Sequence, residues 1–523
     1  MNKPSELLFA AFESAENPLI RAKSTLESAQ SHYLFKYLKY LGANNILVEN
    51  NYFDRDFLSE VSAVYCKSAK GYPNVCKRVH FFSSEEINRE LFLKALADDE
   101  DAMSTFKNSY LGFIVIRPIT NSPFGRTVLK WYPDKTPDVP RVTKPSRKYV
   151  STIAGLELSV IGLAWQQQDS GVAACATIGI WSMLHSSAFD ARHSIPTTSI
   201  ITEAAHSNSM VGHRTYPSYS LTYPQIQHAI KQLGFSPSVT QGDQPYQFFS
   251  KRRFANICAA YIRSGYPLMI GGVHGDDVTV GHAVCAVGFR ESTIEDNVEL
   301  GSVYLQDEQV EYLYIHDDNV GPNVRFKLEE EEIELSGHKF NRCVMRMETP
   351  DYLANGEEPN LDITSIYPKA VIAAVHDDLM ISADRFFEHG INLTNQLCDM
   401  LNTYLEKVKL DKKSFAFSSR FLMLKEYLKD ELTRQLNGRK DLLANIRIQL
   451  QENIVPMSLH LAILRIALPD SSLLLDVIFD TTDTDKNKSV FCHVIYDEEL
   501  ANVLDLIEPS VRLKSLGDKI IAY

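Results

Sequence analysis

The sequence predicts an α+β protein of about three domains, and three observations carry that expectation. Apolar residues fill 45% of the 523 positions and charged residues 23%, enough to bury several cores. Between residues 149 and 350 a helix-rich half is followed by a β-rich half, the segregated order of an α+β fold. The stretch "WYPDKTPDVPRVTKPSRKYV" (131–150) carries four prolines among many charges, the composition of a linker. Boundaries follow at 1–148 for an N-terminal α/β domain, 149–350 for a central domain and 351–523 for a C-terminal α/β domain.

In the first region "AQSHYLFKYLKYLG" has helical spacing, and "YLGFIVIRPI" is a buried strand by its Val, Ile and Phe content. After the linker, "AGLELSVIGLAWQQQ" reads as one or two strands. Ala174, Ile178, Trp181 and His185 then fall at three- and four-residue intervals and predict a helix, with Asp169-Ser170-Gly171 as its cap. Helices are expected around 220–235 and 251–264, then strands at "YPLMIGGVH", "GHAVCAVGFR", "VEYLYIHDD" and "RCVMRME". "STIEDNVELGSVYLQDEQ" reads as an inserted acidic hairpin beside them. Beyond 351, amphipathic helices are expected at 380–408 and 419–436, and "LLLDVIFDTTDTDKNKSVFCHVIYD" reads as a hairpin. Asp483, Asp485 and Asn487 begin like a calcium loop, but Lys488 and Val494 stand where glycine and glutamate belong, so a plain turn is expected.

A net charge of -13 argues against nucleic acid as the partner, because such binding draws on a basic field. Lys251-Arg252-Arg253 reads as a solvated face. No apolar run reaches the roughly 20 residues that span a bilayer, and the start lacks a signal-peptide pattern, so a cytoplasmic protein is expected, with no membrane partner. The eight cysteines are scattered without CxxC pairs, which predicts reduced thiols. No P-loop is present and "GGVHGDD" lacks a strand–GxGxxG–helix context. His185, His193, His206 and His213 lack metal-ligand spacing, so no cofactor and no metal are expected.

Three patterns can supply nucleophilic chemistry. Cys175 enters a predicted helix, where unpaired N–H groups favour thiolate. His282 begins the strand "GHAVCAVGF". Asp317, Asp318 and Asn319 end the strand in "YLYIHDDNVGP". Singly, each has a bland reading: a small buried hydrophobe, a structural histidine and a turn. The other seven cysteines receive the first of these.

Together, "QQQDSGVAACA", "GHAVCAVGF" and "YIHDDNVGP", with "GYPLMIGGVH" upstream of the histidine, resemble the papain-like cysteine peptidases, in the branch of the bacterial double-glycine leader peptidases. The resemblance covers about residues 150–350. It implies a papain-like catalytic domain with Cys175 as nucleophile, His282 as general base and Asp317 as the orienting residue, Asp318 and Asn319 remaining alternatives. It implies that Gln168 donates to the oxyanion. Six residues separate Gln168 from Cys175 where the family has five, which leaves Gln166 and Gln167 open. Ser170, in "DSG", stands where leader peptidases carry "DCG", an alignment that would make the enzyme inactive. The implied activity is thiol-dependent hydrolysis of a peptide or isopeptide bond in a protein or peptide substrate. Acyl transfer and deamidation would use the same triad. A rival reading is a catalytically silent interaction protein, the flanking regions binding a protein partner.

Overall fold

A computed structural model describes residues 7–21, 28–69, 71–134, 141–169, 171–190, 193–208, 214–274, 277–292, 301–348, 365–453, 459–469, 472–481, 490–505 and 518–522. Its secondary structure is an α+β mixture in which most strand pairs are antiparallel.

The N-terminal sheet is a five-stranded antiparallel meander of Leu7–Ala11, Asn45–Tyr52, Cys76–Phe82, Tyr110–Ile116 and Phe124–Leu129, in chain order. The predicted helix is Ala29–Tyr40, and Arg55–Ala63, Arg89–Leu96 and Glu100–Ser109 join it. Each begins at a residue whose side chain accepts a first-turn N–H: Ser28, Asp54, Asn88 and Asp99. Phe82, Phe106 and Tyr110 meet in the core beneath.

The central region starts with a hairpin, Arg147–Ile153 against Leu156–Gly162, so the expected boundary at 148 falls inside a strand. Four helices follow, Cys175–Leu184, Thr198–His206, Tyr223–Gln232 and Lys251–Arg263. A seven-stranded antiparallel sheet then runs in the order His338–Met347, Gly321–Leu335, Val310–Asp317, Asp277–Glu291, Leu268–His274, Ser365–Val375 and Ser236–Gln241. Met345 and Arg346 also pair with Ile366 and Ser365, so six of these strands close on themselves. The strand Ser365–Val375 carries this sheet past residue 350. Gly321–Leu335 escaped the sequence reading because "EEEE" looks like a solvated loop; in the strand Phe326 and Leu328 point inward while Glu330 and Glu332 are exposed. The Cys175 helix lies hard on the sheet. A Cβ at Gly179 would sit 3.0 Å from the Met269 sulfur, so any larger residue would have to push that side chain aside.

The C-terminal region is a six-stranded sheet, in the order Val303–Leu305, Phe415–Met423, His460–Ala467, Leu473–Asp480, Val490–Ile495 and Asp518–Ile521, covered by the helix Ala383–Lys407. Two expectations are corrected. Residues 415–423 are a strand and helical structure starts only at Leu424, because the apolar run "FAFSSRFLM" is buried on both faces. The described part of the acidic insertion is no hairpin: Val303–Leu305 pairs parallel to Phe415–Phe417, and Gln306–Gln309 forms a short 3-10 turn whose Asp307 meets Arg263. The calcium-like loop lies outside the described residues. Lys251-Arg252-Arg253 is more than a solvated face, since Arg252 and Arg253 pair with Glu308 and Asp384. None of the eight cysteines is joined in a disulfide. Among the described residues no helix is long and apolar enough to cross a membrane.

Candidate active site

Cys175 is the first residue of its helix, and Ala174 at the cap position offers no side-chain acceptor. Unpartnered first-turn N–H groups therefore place the positive end of the helix beside a partly exposed thiol. Every residue from Ala176 to Leu184 is buried, which fixes the helix rigidly against the sheet. The expected cap acts elsewhere: Asp169 Oδ1 accepts the N–H groups of Gly171 and Val172, both at 2.7 Å, and shapes the turn before the helix. Ser170 lies outside the described residues.

His282 sits in the middle of the sheet, opposite Gly272 on the neighbouring strand. Its Nε2–H donates to Asp317 Oδ1 at 3.1 Å, and the Cys175 side chain is among the groups that raise the ring's pKa. Asp317 closes the adjacent strand Val310–Asp317, and that strand pairing carries it to the imidazole. The same Oδ1 accepts the Asn319 N–H at 2.9 Å, while the Asp317 carbonyl accepts the Trp165 indole N–H at 2.8 Å. Asp318 Oδ1 is further from His282 Nε2, at 3.9 Å. Asn319 bonds Gln168 instead of the histidine.

The three glutamines separate by environment. Gln166 is buried and donates to Glu60 Oε1 at 2.9 Å, and Gln167 accepts the Phe124 N–H at 3.3 Å. Both are turned into the N-terminal region. Gln168 Nε2 donates to Asn319 Oδ1 at 2.9 Å, which leaves one amide N–H of a part-buried side chain. The turn thus joins Gln168 to the corner that holds Asp317.

The charges follow from this packing. Burial would push His282 down, but the carboxylate of Asp317, their hydrogen bond and the Cys175 contact outweigh it and hold the ring well above an ordinary histidine. Asp317 is held low in turn: burial would raise it, and the imidazolium prevails. Asp318 goes the other way, pushed up to about 7 by burial and by the charge of Asp317. One cation thus serves two carboxyls, and the second keeps a proton near neutral pH. The buried thiols of Cys258, Cys285 and Cys343 are pushed up by burial, which leaves them inert.

His282, Asp317 and Asp318 offer ligand atoms within 4.8 Å of one another, the one such grouping among the described residues. Its ring nitrogen is already the one bonded to Asp317. The histidines 185, 193 and 206 form no such grouping among the described residues. His185 Nδ1 bonds Tyr149 and its ring meets Trp181, while His206 Nδ1 bonds the Thr202 carbonyl. His213 lies outside the described residues.

Sequence reasoning missed Trp165, His274, Glu60 and Arg117. A buried tryptophan needs an acceptor for its N–H, and that signal was legible in "AWQQQD". His274, at the end of the strand beside His282, stacks on its ring at 4.6 Å, and its own ring is held low by burial and then by the charge of His282. No protein-family model and no curated protein matches this chain.

Proposed function

We propose that the chain is a papain-like cysteine peptidase, cleaving a peptide or isopeptide bond through Cys175, His282 and Asp317. The observation that carries this is the Cys175–His282–Asp317 constellation: a thiol at a helix start that interacts with a histidine which is itself bonded to a buried carboxylate. A helical segment that carries the cysteine, set against an antiparallel sheet that carries the histidine, supports the papain-like reading of the fold.

The Cys175 thiolate attacks the scissile carbonyl carbon and the C=O electron pair moves to oxygen. Gln168 and the Cys175 backbone N–H donate to that oxyanion. Collapse re-forms the carbonyl and expels the amine, which takes its proton from the His282 imidazolium. Water then attacks the thioester while His282 takes its proton, and the thiolate leaves. Asp317 fixes the ring tautomer throughout.

The test is alkylation of the folded chain by iodoacetamide at pH 6, with all eight cysteines mapped, repeated on His282→Ala. An ordinary thiol of pKa about 8.5 is only about 0.3% ionised there. Fast labelling of Cys175 alone, lost with His282, supports the proposal. Labelling of Cys175 no faster than Cys66, the exposed thiol, refutes it.

A further inference from the structure

We infer that Glu60 and Arg117, both in the N-terminal region, are positioning residues of the Cys175 site: their buried ion pair holds Gln166, Gln167 and Asp169, the neighbours that present Gln168. The inference rests on the peptidase reading for what is positioned, and on its own contacts for the positioning.

Arg117 Nη1 meets Glu60 Oε2 at 2.9 Å, with the two side chains 1% and 0% exposed. From there both reach into the glutamine turn. Glu60 Oε1 accepts the Gln166 amide at 2.9 Å and the Thr198 hydroxyl at 2.8 Å. Arg117 Nη2 donates to the Gln167 carbonyl at 3.1 Å and to the Ser122 carbonyl at 2.8 Å, and Nη1 lies 3.6 Å from Asp169 Oδ2. Asp169 in turn holds the N–H groups of Gly171 and Val172. Residues 166, 167 and 169 are therefore each tied to one ion pair, and Gln168 is the member left facing Asn319. Tyr65, from the same N-terminal segment, closes the far side, where a Cβ at Gly171 would sit 3.2 Å from its hydroxyl.

A packed apolar pair would stabilise such a position as well as an ion pair does. Charges add direction: the guanidinium donates to two carbonyls and one carboxylate, with the Asp169 carboxylate 3.6 Å away. One guanidinium between two buried carboxylates leaves a negative excess, and Glu60 is pushed up to about 7 by burial, against the pull of Arg117 and with the push of Asp169.

The test uses the full chain and two probes that differ in one requirement. Alkylation by iodoacetamide needs the thiolate alone, whereas acylation by p-nitrophenyl acetate also needs the oxyanion held. In Glu60→Gln and in the milder Arg117→Lys, acylation of Cys175 should fall tenfold or more while its alkylation at pH 6 stays within threefold. Unchanged acylation overturns the inference, and so does a parallel fall of both rates, which would mark general disruption. Should Glu60→Gln fail to fold, Arg117→Lys decides. Should Cys175 of the unaltered chain prove unreactive, the peptidase reading falls and amide exchange across 166–173 judges the brace: faster exchange in the variants supports it, equal exchange overturns it.

Discussion

The two flanking regions meet the central one in different places. The N-terminal region reaches both loops of the candidate site. Glu60 and Arg117 hold the glutamine turn, and the helix Ala29–Tyr40 holds the aspartate turn, with Gln30 donating to the Asp318 carbonyl at 3.2 Å and Tyr33 to the Pro322 carbonyl at 2.8 Å. The C-terminal region attaches through the helix Lys251–Arg263 and the insertion. Arg253 makes a two-pronged pair with Asp384, the Phe421 N–H donates to Ser264, and Val303–Leu305 joins the C-terminal sheet. A flank that touches the loops of the candidate site is placed to set their geometry; one that touches the supporting helix is placed to contribute stability. Equal bulk on either side of a core therefore does not imply equal duty.

The comparison can be broken or sharpened in steps. The centre provides the baseline: His282→Ala should cut Cys175 alkylation at pH 6 by about a hundredfold and abolish p-nitrophenyl acetate turnover, with circular dichroism unchanged. Asp317→Asn removes the acceptor that fixes the His282 tautomer, and turnover should fall by roughly 10²–10⁴. If either retains full turnover, the site is misassigned and the comparison loses its centre. Next come paired changes on the flanks. Tyr33→Phe deletes one hydrogen bond, worth about 1 kcal/mol, and should lower turnover several-fold. Arg253→Ala should lower the melting temperature by a few degrees with turnover unchanged. The reverse outcome, activity lost with Arg253 and kept with Tyr33→Phe, would invert the argument.

A separate, pH-dependent effect concerns Asp318. Its folded pKa lies near 7, above an unfolded carboxyl near 4, so the folded state holds a proton that the unfolded state releases. That contribution is complete below about pH 4 and disappears as pH rises through 7. Asp318→Asn should therefore flatten the fall in melting temperature between pH 5 and pH 8. An unchanged slope would show that Asp318 is ionised throughout.

Much of the site was legible in the sequence because its members are marked by local chemistry. Cys175 stands at a helix start and Asp317 ends a strand, while His282, expected to open its strand, lies inside Asp277–Glu291 among small residues. Sheet pairing then brings His282 and Asp317 together, the part no local pattern encodes. Which glutamine faces the site was illegible, since it depends on Glu60 and Phe124, more than forty residues upstream. The strand Gly321–Leu335 was hidden by its charges, and the α+β class survived that omission because the remaining strands still segregate from the helices. The helix expected at 419–436 failed for the opposite reason: a strand buried on both faces shows no alternation to distinguish it from a helix.

The strand Val303–Leu305 also bears on the order of assembly. Along the chain it interrupts the path from His282 to Asp317, yet Glu291 and Val310 are paired directly across the gap, so the excursion begins and ends at adjacent points of one ladder. That ladder is the shorter-range contact and forms at lower loop-closure cost than the pairing with Phe415–Phe417, whose partners are over a hundred residues apart. On refolding, pulse-labelled amides of 284–291 and 310–317 should gain protection before those of 415–417. His282 and Asp317 would then be in register before the last third of the polypeptide has docked, and synthesis from the N-terminus would deliver the residues that brace their loops first of all.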